Sequence, residues 1–210
     1  LKVLDRKLEL LAAHAHFDVN INTVVGNGIG QPGDALLIAT RARELGFGTS
    51  VGVIHDRSGQ IVPLDTERQR VHASIASLAR GFYSHAHDHM FQKNLIAGRS
   101  NAWQCRAGAR YLYICEDGLV HWCSQQRGTP GIPLDRYERA DLDRQYGSEK
   151  SCAPHCTVSC VHRVSLLDDI RRAPIETLAR MSATGTSAGH PAPASLGLLS
   201  WMFVTSRHHQ

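Results

Sequence analysis

Hydrophobic and polar positions follow helical and strand periods in turn over the first eighty residues. Apolar residues recur every three or four positions at the start, and β-branched residues dominate the runs FDVNINTVV and TSVGVIH. The pattern predicts helix, strand, helix, strand and helix over residues 1–15, 17–25, 34–45, 49–55 and 66–79. This order is typical of a parallel sheet with crossover helices. Two strands do not make a stable sheet alone, so we expect upstream units in a longer gene product.

The pattern changes near residue 100. Short β-rich runs flank Asp117-Gly118, and an Asp-Gly pair between such runs indicates a hairpin. Residues 182–195 are rich in Ser, Thr, Gly, Pro and Ala, which is typical of a linker. The apolar run over residues 196–204 is far shorter than the ~18 residues of a membrane span.

Composition narrows the class of protein. The 210 residues are 42% hydrophobic and 20% charged, which favours a folded chain with a core. The net charge of +4 arises from 23 basic and 19 acidic residues without a dense basic run, and does not indicate a nucleic-acid partner. With no signal-peptide pattern at the start and no membrane span, we expect a cytoplasmic protein.

The six cysteines all lie between residues 105 and 160. A hairpin can bring Cys105 and Cys123 together, and a helix would place the later three on one face: Cys152, Cys156 and Cys160. Pro154 indicates a turn or a first helical turn at the start of that segment. Cys115 falls in the strand-like run YLYIC, where we interpret it as a packing residue.

Thiolates converging from separate loops typically bind zinc or an iron–sulfur cluster. Three disulfides are an alternative because the count is even, although the crossover units and the absence of a signal peptide favour a reducing compartment. Buried cysteines without a ligand are the remaining alternative.

Residues 101–165 resemble the auxiliary-cluster region of radical S-adenosylmethionine enzymes, called the SPASM domain or, when shortened, the twitch domain. The family's opening pattern is a Cys, a gap and Gly-x4-Cys, which here is Cys105, twelve residues, and Gly118 to Cys123. The later run SCAPHCTVSC completes the set. The resemblance implies one auxiliary 4Fe–4S cluster held by four of five cysteines, without saying which is spare: Cys105, Cys123, Cys152, Cys156 and Cys160.

Residues 1–82 resemble the second half of the partial (β/α)6 barrel of the same superfamily. The implied fold class is α/β, with the C-terminal part of a partial (β/α)6 TIM-like barrel followed by a small Cys-rich SPASM/twitch-like α+β domain. The implied domains are the barrel end with a connecting helix over 1–99, the auxiliary domain over 100–165, and a C-terminal helix, linker and apolar tail over 166–210.

Asn20 and Asn22 alternate along the first predicted strand and therefore share a face. Polar side chains at strand ends inside a barrel are often ligand contacts. The resemblance makes both asparagines candidates for contacts to S-adenosylmethionine. A hydrogen-bonded pair that shapes the barrel interior is an equal alternative.

The family's radical-generating motif, Cys-x3-Cys-x2-Cys, is absent from this sequence, and Cys152-x3-Cys156-x3-Cys160 differs from it in spacing and position. The chain therefore resembles the C-terminal half of such an enzyme, and we expect it to be inactive alone. The resemblance implies that the parent enzyme binds S-adenosylmethionine and a second 4Fe–4S cluster and takes electrons from a ferredoxin or flavodoxin. Its substrate stays open among peptides, sugars and small metabolites.

Two other motifs suggest rival functions. Gly28, Gly30 and Gly33 spell the G-x-G-x-x-G of a dinucleotide-binding oxidoreductase, with Asp56 near the position of a ribose-binding acid. Pro32 falls where a phosphate-binding helix should open, which argues against this function, and a glycine-rich loop capped by Asp34 is the alternative.

Histidines form the second rival motif. His85, His87 and His89 suggest either a zinc site or a solvated loop. His121, His155 and His162 flank the cysteines and are candidates for hydrogen bonds around a metal centre. A non-catalytic zinc or iron–sulfur binding module is thus the second hypothesis for the whole chain.

Overall fold

The computed structural model describes residues 2–28, 30–55, 61–78 and 87–183. The chain divides into two compact units, Leu1–Arg99 and Ser100–Gln210. The division at residue 99 coincides with the predicted one. The second boundary, predicted after residue 165, lies inside the helix Ser159–Arg172, so that helix continues the cysteine-rich segment. The predicted linker and apolar tail lie outside the described residues, apart from the linker's first two.

The first unit alternates helices and strands in the predicted order. Its elements are α1 Lys2–His14, β1 Asn20–Val25, α2 Pro32–Glu44, β2 Gly48–Val53 and α3 Thr66–Leu78, followed by a π-helical turn Asp88–Gln92 and α4 Lys93–Ile96. β1 and β2 pair in parallel, with Asn20 opposite Gly48 and Val25 opposite Val53. Both strands are shorter than predicted.

One face of this two-stranded sheet carries the core of the first unit. Val25 and Val53 pack in one buried cluster with Ala39 of α2 and Ile75 of α3. α1 joins the adjoining cluster through Leu8. The alternation of buried and exposed residues along β1 places Ile21, Thr23 and Val25 toward the helices.

The opposite face of the sheet is polar. Asn20 Nδ2 donates to Ser50 Oγ at 2.8 Å, and Ser50 Oγ donates to Asn22 Oδ1 at 3.0 Å. Val24 on the same face is 42% exposed. Asn20 and Asn22 therefore share a face, as predicted, and Ser50 of β2 links them in a hydrogen-bonded row. The described residues form a mixed α/β unit with this small sheet, and the barrel remains a hypothesis.

The loop between β1 and α2 differs from the prediction at its end. α2 begins at Pro32, two residues earlier than predicted, and Gln31 occupies the N-cap position. Proline is favoured there because the first N–H groups of a helix have no helical acceptor. Asp34 is the third helical residue, so its predicted capping role is wrong. With Pro32 first, the helix offers a phosphate one N–H fewer, which weakens the dinucleotide hypothesis.

The second unit combines a small antiparallel sheet with helices. Its elements are β3 Tyr113–Ile114, β4 Leu119–His121, β5 Pro130–Pro133, α5 Arg139–Gly147, α6 Ser159–Arg172 and α7 Pro174–Ala183, with 3-10 turns at Leu134–Arg136 and Ala153–His155. The strands lie in the order β3-β4-β5. The Asp117-Gly118 hairpin is confirmed, although its strands are shorter than predicted. β5 was not predicted, because its segment PGIP lacks a strand pattern.

Candidate metal centre

Three separate segments of the second unit contribute cysteines to one buried region. Cys105 precedes the hairpin, Cys123 follows β4, and Cys152 and Cys156 flank the 3-10 turn Ala153–His155. Cys105 and Cys123 belong to one core cluster with Ala153, packed against aromatic side chains that include Trp103 and Trp122. All six cysteines of the chain are free thiols in the structure.

Hydrogen bonds hold these segments against one another. The Asn101 backbone N–H donates to Pro154 O at 2.8 Å, and Trp103 Nε1 donates to Ala153 O at 2.7 Å. Gln125 Nε2 donates to Thr157 Oγ1 at 2.8 Å. The turn that carries Cys152 and Cys156 is therefore tied to the segments on both sides of the hairpin, independently of any contact between the thiols.

Burial and mutual proximity set the protonation of these thiols. Burial raises the pKa of Cys105 to about 11 and that of Cys156 to about 12. It also raises the pKa of Cys152. Cys105, Cys123 and Cys152 raise the pKa of Cys156 further, so these three thiols are close enough to oppose its ionisation. In a chain without metal, the thiol form is favoured.

Backbone N–H groups offset part of the rise in the pKa of two of these thiols. The Val158 N–H donates to Cys156 Sγ at 3.4 Å, and the Ala107 N–H lowers the pKa of Cys105. N–H donors to sulfur stabilise thiolates and tune metal centres bound by them. The fold thus supplies donors where thiolates would be needed.

The spread of the sulfur atoms bears on the kind of metal centre. Among the described residues, no three cysteine sulfurs lie mutually within 4.8 Å. Four thiolates on one zinc ion would lie about 3.8 Å apart. A four-iron cluster binds thiolates whose sulfur atoms lie farther apart, because each thiolate binds a different iron. A single ion bound here would have to draw the sulfur atoms closer together.

Cys160 lies apart from the other four candidates in environment. It is exposed and is the second residue of α6, which begins at Ser159. Residues 152–160 are not one helix, because the 3-10 turn ends before Cys156 and α6 starts after it. The turn that Pro154 indicated is confirmed, whereas the helical face that Cys152, Cys156 and Cys160 would share in one helix is not formed.

Cys115 lies in a second polar group that the sequence analysis missed. Its Sγ is 3.1 Å from His121 Nε2 and 3.3 Å from Asp117 Oδ1, and the three ligand atoms lie within 4.8 Å of one another. The Gly128 N–H donates to His121 Nδ1 at 2.8 Å, which assigns the ring proton to Nε2. A protonated Nε2 donates to sulfur and carboxylate and offers no lone pair to a metal. The grouping reflects residues i, i+2 and i+6 around the Asp117-Gly118 turn.

The remaining predicted histidines have varied settings. His162 is buried, with its ring 4.8 Å from the Trp103 ring in an edge-on arrangement, so it borders the four-cysteine region. His155 is partly buried in the turn between Cys152 and Cys156. His87 is buried, which lowers its pKa to about 4. His85, the His89 side chain and Asp56 lie outside the described residues.

Comparisons with known proteins give no assignment: no family model, curated protein or solved structure matches this chain. Among the described helices, none has the length and apolar character needed to cross a bilayer.

Metal uptake should release protons from the chain. At pH 7 the thiols of Cys105, Cys152 and Cys156 are protonated because their pKa values are raised, and a metal displaces those protons. We expect at least about three protons per bound Cd²⁺ at pH 7, and tighter binding as the pH rises. A titration of the metal-free chain in weak buffer with a pH indicator measures this, with Cys160→Ala as the unchanged control. Release of fewer than about one proton would contradict it.

Proposed function

We propose that the chain binds an auxiliary 4Fe–4S cluster and forms the C-terminal portion of a radical S-adenosylmethionine enzyme. The observation that carries the proposal is the convergence of four cysteines from three segments: Cys105, Cys123, Cys152 and Cys156. In this proposal Cys160 is the spare member of the predicted five, since it is exposed at the start of α6.

The surroundings of the four thiols support an iron–sulfur cluster over zinc. The sulfur atoms are spread more widely than one zinc ion requires. Cys105, Cys123 and Cys156 are buried at 5–8% exposure, and Cys105 and Cys123 pack with Trp103 and Trp122. A shielded, apolar shell protects a cluster and tunes its potential. A bound cluster supplies one-electron chemistry, whereas the protein positions it and excludes water.

The first unit supports the part of the proposal that concerns the barrel of a radical S-adenosylmethionine enzyme. Its strands are parallel, its helices lie on one face, and the polar row of Asn20, Asn22 and Ser50 lies on the other. This is the arrangement expected of a barrel segment whose polar face lines the interior. We propose that S-adenosylmethionine, the second 4Fe–4S cluster and a ferredoxin or flavodoxin donor belong to the longer parent enzyme.

The proposal is tested by the metal and acid-labile sulfide content of the chain after anaerobic purification, together with a visible absorption spectrum. We expect about four iron and four sulfide per chain, with broad absorption in the visible range. One zinc without sulfide would replace the cluster by a structural site and leave the second hypothesis, a non-catalytic zinc-binding module.

A further inference from the structure

Lys150 is a buried cation beside the four-cysteine region. Its side chain is 5% exposed, and it lies two residues before Cys152. Nζ donates to Gln145 O and Ser148 Oγ, both at 2.9 Å. Longer contacts reach Ser148 O at 3.4 Å and Cys105 O at 3.5 Å. Hydrogen bonds thus fix the ammonium group in one place.

The acceptors around Lys150 are all neutral. Among the described residues, no carboxylate lies within 4.0 Å of Nζ, and the Trp122 ring centroid is 5.0 Å away. The other buried cation of this unit, Arg106, has the carboxylate of Asp168 at 2.9 Å. A buried charge without a counter-charge is costly, so a fold that retains one usually provides a partner.

The groups near Lys150 that can carry negative charge are thiols. Nζ lies 3.5 Å from the carbonyl oxygen of Cys105, and Lys150 is two residues before Cys152 in the chain. When these thiols bind a metal centre they become thiolates. These thiolates then supply the negative charge that the neutral acceptors around Nζ do not provide.

We propose that Lys150 is the fixed counter-charge of the metal centre and raises its reduction potential. This inference rests on the proposed function. A cluster held by four thiolates is anionic, and one electron from a ferredoxin- or flavodoxin-class donor makes it more so. A nearby ammonium group therefore stabilises the reduced form more than the oxidised form.

The test is a spectroelectrochemical titration of the full chain loaded with cluster. Lys150→Met removes the charge and keeps the length of the side chain, so we expect a more negative potential with unchanged iron content. Lys150→Arg keeps the charge and should stay near the wild-type potential. Arg139→Met, which removes a charge that is 86% exposed on α5, is the matched control and should cause no shift.

A Lys150→Met variant with full iron content and the wild-type potential would overturn the inference. If Lys150→Met folds but does not load, Lys150→Gln, which keeps N–H donors, should show the negative shift. Both neutral variants could keep the wild-type circular dichroism and still bind no cluster. In that case, cluster binding by Lys150→Arg would support the counter-charge role of Lys150. Absence of a cluster from Lys150→Arg would reject that role. Wild-type chain without iron would instead reject the proposed function.

Discussion

Cys156→Ala should reduce the iron and sulfide content of the anaerobically purified chain by at least about tenfold. Cys156 is buried, and the other three proposed ligands lie close enough to raise the pKa of its thiol. Removing it leaves three thiolates and an apolar gap where the fourth iron would be bound. Iron and sulfide analysis of the variant and wild type, prepared in parallel, measures the loss.

Two controls distinguish a ligand from any other cysteine. Cys160→Ala and Cys115→Ala should both keep the wild-type iron content, because Cys160 is exposed on α6 and Cys115 is engaged with His121 and Asp117. Full iron content in Cys156→Ala, or loss of iron in Cys160→Ala, would overturn the proposed ligand set.

Asp168→Asn should lower the free energy of unfolding by about 3–5 kcal/mol. Asp168 is 4% exposed and lies 2.9 Å from Arg106 Nε, and Arg106 itself is 1% exposed. That contact is an ion pair without hydrogen-bond geometry. Tyr146 Oη also donates to Asp168 at 2.7 Å, and Arg110 lies at 3.1 Å. The substitution leaves Arg106 buried without a compensating charge. Urea unfolding of the full chain measures the change.

Asp143→Asn is the matched control, since it breaks an exposed pair with Arg139 at 3.1 Å. Its expected cost is about 0–1 kcal/mol. Equal midpoints for the two variants would show that the buried pair contributes no more than the exposed one.

The Asp168 pair also predicts how stability responds to acid. Burial raises the pKa of Asp168. Tyr146, Arg110 and Arg106 together lower it by a larger amount, so the pKa of Asp168 in the folded chain is below its usual value. The carboxylate therefore contributes stability above pH about 4, and this contribution is lost as the pH falls through the lowered pKa. Asp168→Asn should flatten the dependence of the unfolding midpoint on pH in that range. An unchanged pH profile would contradict this.

Much of the local structure could be predicted from sequence because it depends on short-range patterns. The β-branched runs and helical periods placed β1, α2, β2 and α3, and Asp117-Gly118 placed the hairpin. β5 was missed because a Pro- and Gly-rich segment becomes a strand only through pairing with β4.

The site depends on contacts that sequence spacing does not contain. The regular spacing of Cys152, Cys156 and Cys160 suggested one helical face, whereas α6 begins only at Ser159 and leaves Cys160 exposed. Lys150 was missed because its burial depends on contacts such as that with Cys105, 45 residues away. Charged residues are rarely buried, so composition alone does not identify it.

The most direct test is the iron and sulfide content of the double variant Cys115→Ser/Cys160→Ser, purified anaerobically. This chain keeps only four cysteines: Cys105, Cys123, Cys152 and Cys156. We expect about four iron and four sulfide per chain and the wild-type absorption spectrum. A folded double variant that binds neither iron nor sulfide, prepared beside a wild type that binds both, would contradict the proposal that these four cysteines hold the cluster.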